Sequence, residues 1–268
     1  MYGMEQITSV KNNRVKEWAS LKQKKYRNST GKYIAEGVRL VEEVIASGAS
    51  VEAILIAGDL QSGRFDKIVN GAHSKDIVMY EVAEAVIEHI SDTKSPQGVI
   101  AIVHRHEGDP ALFIAGKEKP LYLVLDSLQD PGNLGTMIRT ADAVGATAVF
   151  VSKTSVDLYN PKVIRSTMGS LYHLPVFEVD LIEFLPQLQA AGVKVVGTAP
   201  EADRTVYGYD FTQGTALVIG SEAHGMSADV AALTDAQITL PMPGQAESLN
   251  AAIASSVMLY EALRQRTV

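Results

Sequence analysis

The sequence contains no cysteine. That absence excludes a disulfide framework, a thiolate nucleophile, cysteine-ligated zinc and iron–sulfur clusters, and it fits a reducing compartment. Long apolar runs are missing too: no stretch approaches the roughly 18 residues of a membrane span, and the opening MYGMEQITSVKNNRVKEW holds no apolar signal segment. A soluble cytoplasmic protein without membrane association is expected. Aromatic residues are scarce at 6%, yet 46% of the 268 residues are hydrophobic and 21% charged. This is the balance of a globular chain rather than a disordered, collagenous or coiled-coil one. The length accommodates one large domain or two ordinary ones.

Several catalytic signatures are absent as well. There is no Gly-x-Gly anywhere, which removes the dinucleotide fingerprint and the kinase glycine loop. Gly220 to Gly225 has the glycine spacing of a Walker A loop, but Met226-Ser227 follow where a lysine is needed at the phosphates. No G-x-S-x-G elbow occurs, and His104 and His106 lack ligand partners of their own, so no metal is expected.

The net charge of -7 argues against a nucleic-acid partner only as an average. Residues 1–105 carry 14 Lys+Arg against 13 Asp+Glu, whereas residues 106–268 carry 10 against 18. Eight basic residues, including Lys22, Lys24, Lys25 and Arg27, fall within the first 32, against Glu5 and Glu17. Such a cluster is either a footprint for a polyanion or a solvated helix face.

Hydrophobic periodicity predicts two α/β domains. In the first, over 1–105, helices are expected at 13–26, 38–45, 60–70 and 82–90, and strands at 33–36, 51–57, 77–80 and 98–103. A linker with one helical turn spans 106–119. The second domain, 120–268, has strands LYLVLD, TAVFVS, VKVVG, TALVI and QITL, apolar enough for burial on both faces of a mainly parallel sheet. Its helices are expected at 134–144, 161–169, 180–191 and 248–265. Ligands of such sheets bind beyond the carboxyl ends of the strands. Four of those ends carry polar, glycine-rich segments: 127–135, 197–200, 220–225 and 241–250. Together they offer backbone groups, the carboxylate of Glu222, the guanidinium of Arg139, and Asn133, Thr198, Ser248 and Asn250. Each residue also has a plainer use: Gly132, Gly135 and Gly225 in turns, Asn133 and Ser248 as helix caps.

Asn133-Leu-Gly135-Thr-Met-Ile-Arg139-Thr-Ala, Ile219-Gly-Ser-Glu222-Ala-His-Gly225, and Leu240-Pro-Met-Pro-Gly244 with Ser248-Leu-Asn250-Ala-Ala resemble, in order and spacing, the three motifs of the SpoU (TrmH-like) RNA 2'-O-methyltransferases. Lys25-Tyr-Arg27 and Glu36-Gly37 ahead of a Val-Glu-Glu helix are similar to the substrate-binding domain found in ribosomal-RNA members. The resemblance implies a SPOUT catalytic domain with a trefoil knot, an N-terminal domain of the ribosomal protein L30e type, and homodimers formed through the catalytic domain. It also implies methylation of a ribose 2'-hydroxyl, most readily in large-subunit ribosomal RNA, with S-adenosyl-L-methionine as donor. The same resemblance accommodates a transfer-RNA enzyme, a resistance methylase, or a non-catalytic RNA-binding or ribosome-assembly protein of the same fold.

Carried over by position, Gly197, Thr198, Gly220, Leu240, Ser248 and Leu249 would hold the donor. Arg139, Asn133, Glu222, Ser248 and Asn250 would form the catalytic set. Arg139 matches the arginine proposed to activate the hydroxyl, but a guanidinium is a poor general base, and a phosphate clamp that stabilises a developing alkoxide is an equal reading. Lys22, Lys24, Lys25, Arg27, Lys162 and Arg165 would bind RNA, with Tyr26 and Tyr33 for stacking.

Overall fold

The computed structural model describes residues 4–58, 63–114 and 116–267. The chain forms two compact units, Met1–Glu107 together with Tyr159–Tyr172, and Gly108–Leu158 together with His173–Val268. Tyr159–Tyr172, read from the sequence as part of the second domain, thus groups with the first unit. There the Tyr159 ring lies 4.8 Å from that of Tyr33, and Arg165 pairs with Asp92 at 2.9 Å.

In chain order the first unit holds β1 (Glu5–Ile7), α1 (Asn13–Ser20), α2 (Lys24–Thr30), β2 (Lys32–Glu36), α3 (Val38–Ser47), β3 (Val51–Ile56), α4 (Asp66–Ser74), β4 (Met79–Val82), α5 (Glu84–Ile90) and β5 (Val99–His104). The sheet order is β1-β4-β3-β5-β2, with β5 antiparallel to both its neighbours. Its core joins Val15, Trp18 and Leu21 to Ile34, Leu55 and Ile100. The stripe predicting one helix over 13–26 is real, but the helix breaks at 21–23. Arg27 explains the break: only 2% exposed, it donates Nη1 to the carbonyls of Leu21 and Lys22 at 2.8 Å each, satisfying groups that the end of α1 leaves bare. The helix expected at 60–70 begins at Asp66 in the described part, and 60–62 lie outside the described residues.

The second unit opens with a single 3-10 turn, Pro110–Phe113, capped by Asp109. It continues with β6 (Leu121–Leu125), α6 (Pro131–Ala143) and β7 (Ala148–Ser152); α7 (Pro161–Ser166) lies in the first unit. β8 (Val176–Val179), α8 (Leu181–Ala190), β9 (Lys194–Thr198), β10 (Arg204–Thr205), β11 (Thr215–Ile219), α9 (Ala228–Ala232), β12 (Ala236–Thr239) and α10 (Ala251–Thr267) complete it. Every pairing in its sheet is parallel, in the order β10-β12-β9-β11-β6-β7-β8. β6, β7 and β11 are buried throughout, as their unbroken apolar runs require. The order departs from the chain in two places: β11 lies between β6 and β9, and β12 pairs with β9 on one side and β10 on the other, although β9 and β10 follow each other directly. No helix among the described residues is long and apolar enough to cross a membrane.

α10 packs against α6 and carries a buried anomaly. Ser255 is fully buried, and its hydroxyl has no hydrogen-bond partner among the described residues. An unsatisfied buried hydroxyl is destabilising. Ser255→Ala is therefore expected to stabilise the protein by about 1 kcal/mol, a Tm increase of roughly 2–4 °C by calorimetry.

Candidate active site

The carboxyl ends of β9, β11 and β12 open into a cleft of about 880 Å³, a small-molecule size. Thr198, Gly220, Glu222, Leu240, Ser248 and Leu249 line it, with Ile219, Ile238 and Met258 as apolar wall. Gly220 lets the cleft exist. The following loop closes on itself through reciprocal Ser221 and Gly225 backbone bonds of 2.9 Å and returns over the strand end. A Cβ at Gly220 would fall on the backbone of Gly225 and Met226. Gly197 stands elsewhere: it does not line the cleft, and the space a Cβ would take is filled by Met226 and Thr234 side chains.

The rim is built from the first motif. Asp130, not Asn133, caps α6, its Oδ1 accepting from the Asn133 backbone N–H at 2.7 Å. The Asn133 carboxamide is thereby left for longer-range partners. Its Nδ2 donates to Glu222 Oε1 at 2.9 Å, and its Oδ1 accepts from Asn250 Nδ2 at 3.0 Å. Asn250, rather than Ser248, caps α10 through Oδ1, taking the N–H groups of Ala252 and Ile253 at 2.9 and 3.2 Å. Three residues from three motifs thus form one relay. Arg139 and Ser248 are not part of it; Arg139 is exposed and makes no side-chain hydrogen bond or ion pair among the described residues.

Two supporting residues were not singled out from the sequence. Gln129 donates Nε2 to the carbonyls of Ser127 and Thr154 at 2.9 and 3.1 Å, and its N–H faces Glu222 Oε2 at 3.5 Å. Asp126, 3% exposed, accepts from the Ser227 N–H at 2.7 Å and from Ser127 Oγ at 3.0 Å, so it ties the first-motif loop to the segment after Gly225. Their only sequence signal is a polar strand end, and neither can be distinguished there from a turn residue.

In the first unit Lys22, Lys24 and Lys25 are exposed on or just before α2, although Lys22 Nζ also donates to the His89 carbonyl at 2.8 Å. Tyr26 is 39% exposed, whereas Tyr33 is 3% exposed and unavailable for stacking on RNA. Arg27 is likewise withdrawn from the basic surface, since its guanidinium is spent on backbone carbonyls. Lys162 is exposed on α7, and Arg165 is half-buried against Asp92. Among the described residues no group of three His, Asp or Glu could hold a metal ion.

A parallel sheet with a small-molecule cleft at its carboxyl edge and a fixed polar relay on the rim defines an α/β enzyme domain that binds its ligand at the strand ends. The chain belongs to the SpoU rRNA methylase family. The SpoU rRNA Methylase family model matches residues 120–260, which contain the whole relay, and the MRM3-like substrate binding domain model matches 12–101. Among relatives, the chain is 38% identical to the 23S rRNA (guanosine(2553)-2'-O)-methyltransferase RlmP of Bacillus subtilis, over 96% of this chain and 98% of that one. It is 34% identical to the 23S rRNA (uridine(2479)-2'-O)-methyltransferase of Streptomyces viridochromogenes, over 97% and 92%. The crystal structure of an AdoMet-bound rRNA methyltransferase from Sinorhizobium meliloti superposes with a TM-score of 0.87 at 32% identity, covering 97% and 98% of the two chains.

Proposed function

We propose that this protein transfers a methyl group from S-adenosylmethionine to a ribose 2'-hydroxyl of 23S ribosomal RNA, in the cytoplasm where ribosomes are assembled. The observation that carries the reading is the Asn133–Glu222–Asn250 relay at the rim of the cleft, inside the region that matches the family. Two relatives named for 2'-O-methylation of 23S rRNA support the substrate class.

The cleft suits the donor. Ile219, Ile238 and Met258 offer an apolar face for an adenine, and Glu222 and Glu247 offer carboxylates to a cationic ligand. Thr198, Gly220, Leu240, Ser248 and Leu249 would hold it, while Gly197 acts from behind by admitting Met226. When bound, S-adenosylmethionine supplies an electrophilic methyl group on a sulfonium centre. The protein's task is then orientation and charge. Asn133, immobilised from both sides, presents a fixed amide to the ribose, and fixing a reactant this way accounts for much of the acceleration. Glu222 Oε1 is taken by Asn133, whereas among the described residues Oε2 has the long Gln129 contact alone and is available to accept the hydroxyl proton. Arg139 carries an unengaged guanidinium and grips the adjoining phosphate while it stabilises developing alkoxide charge.

Two features of the fold extend the reading. Ile253, Val257 and Tyr260 leave 55%, 37% and 53% of their surfaces exposed, an apolar run along α10, preceded by the 41% exposed Leu249, that a second copy of the chain would cover. The insertion of β12 between β9 and β10 supports threading of the chain into a trefoil knot. The mixed sheet of the first unit is consistent with the L30e type of RNA-binding domain.

The test is transfer of radiolabel from S-adenosylmethionine to 23S rRNA transcript, mapped by resistance to alkaline cleavage. One alkali-resistant position, with label reduced about 100-fold or more in Arg139→Ala, is the expected result. Absence of label in every RNA, together with failure to bind the cofactor in calorimetry, would remove the assignment.

A further inference from the structure

The carboxyl ends of β6 and β7 are tied together by more polar groups than two parallel strands need. Buried Asp126 receives the Ser127 hydroxyl at 3.0 Å and the Ser227 N–H at 2.7 Å. From Ser127 a run of hydroxyl contacts continues: to Thr154 at 2.7 Å, from Thr154 to Ser152 at 2.9 Å, and from Ser152 to Ser155 at 2.9 Å. A carboxylate only accepts, and each hydroxyl has one proton to give, so Asp126 sets the direction of the whole run. Ser127 donates to Asp126, Thr154 to Ser127, Ser152 to Thr154, and Ser155 to Ser152. The oxygens of Ser152 and Ser155 also accept the backbone N–H groups of Ser127 and Leu128, at 2.8 and 3.1 Å.

This network holds a backbone that is unfavourable by itself. Ser127 has a φ of +57°, in the left-handed region where a Cβ is crowded. Gln129 closes the clamp, its Nε2 donating to the carbonyls of Ser127 and Thr154. With the two preceding N–H groups engaged, the Gln129 N–H meets Glu222 Oε2 at 3.5 Å, across 93 residues of chain. A fully satisfied polar network is rigid, so the donor it carries is held in one place. Such a long bond limits where the oxygen stands and is weak enough to yield when a proton arrives.

We propose that Asp126, Ser127 and Gln129 are positioning residues for methyl transfer. Through the ordered hydroxyls they keep the Gln129 N–H against Glu222 Oε2 and so fix the oxygen that takes the ribose proton. This rests on the methyltransferase reading and adds what holds its proton acceptor in place. Neither Ser127 nor Gln129 lines the cleft, so their loss reaches the reaction through Glu222 rather than through donor binding.

The main variant is Gln129→Ala, because that side chain is exposed and its removal leaves the backbone N–H in place. With the full chain and 23S rRNA transcript, kcat is expected to fall about tenfold, while KM for RNA and the calorimetric Kd for S-adenosylmethionine stay within about twofold of wild type. In a Glu222→Gln background the same substitution is expected to change kcat by less than about twofold. Ser127→Ala, which breaks the hydroxyl run, should behave as Gln129→Ala does. The amide proton resonance of Gln129 gives a readout without turnover: it is expected to move with pH as Glu222 ionises and to lose that movement in Glu222→Gln. A wild-type kcat in Gln129→Ala overturns the proposal, and so does a loss that persists in full beside Glu222→Gln or is matched by an equal loss of donor affinity. An amide resonance that ignores Glu222 in an active enzyme removes the proposal and leaves the methyltransferase reading standing. Wild-type protein that transfers no label to any RNA defeats that reading, and the positioning role with it.

Discussion

Gly220→Ala is expected to abolish cofactor binding and to destabilise the protein by about 3 kcal/mol or more. The added methyl would collide with the backbone of Gly225 and Met226, not with a side chain that could rotate away. Relief requires moving the whole Ser221–Gly225 loop, and with it Glu222. Movement there also disturbs Met226, whose side chain packs where a Gly197 Cβ would sit. Gly244→Ala is the matched control, since its Cβ meets nothing within 4 Å. Calorimetric titration with S-adenosylmethionine and urea unfolding of both variants decide the matter. If Gly220→Ala binds and unfolds as wild type does, the loop does not constrain the cleft.

The second large effect concerns the relay. Glu222→Ala is expected to lower kcat by about 100-fold or more, because Asn133 loses its 2.9 Å acceptor and the proposed mechanism loses its proton acceptor. Asn133→Ala should cost a similar factor. The informative measurement is the double variant, expected to be little worse than either single one, since residues acting as a unit are strongly non-additive. Unfolding free energies should change by less than about 1 kcal/mol, as Glu222 is exposed, Asn133 is half-buried and the bond between them is solvent-exposed, so it contributes little to stability. Multiplicative losses in the cycle would mean that the two side chains act separately and that the relay is incidental.

The sequence pattern reaches some of this architecture and stops short of the rest for identifiable reasons. β6, β7 and β11 are continuous apolar runs, and doubly buried parallel strands are recognisable as such. β8 is four residues at the sheet edge, and β10 is two residues paired only with β12, so neither sustains a period. Neither is legible in the sequence pattern, nor are the three-residue β1 and the five-residue α9. The members of the relay were readable as candidates but not as partners, because 89 residues separate Asn133 from Glu222 and 117 separate it from Asn250. Which residue caps α6 also had to be settled in three dimensions: Asp130 and Asn133 are both good caps, and the choice of Asp130 frees Asn133 for the relay. Arg27 shows the opposite error. A basic residue in a basic run reads as surface charge, and only the break between α1 and α2 reveals carbonyls for it to satisfy.

The position of β12 also sets a timetable. A nascent chain emerges from its N-terminal end, so β9 and β10 are synthesised well before the strand that must lie between them. The slot has to stay open, or reopen, until Ala236–Thr239 arrives. Leu240 to Asn250, which supplies one wall of the cleft and the cap of α10, follows later still. The first unit, whose last segment ends at Tyr172, is therefore fully synthesised before the strand and the loop that finish the cleft.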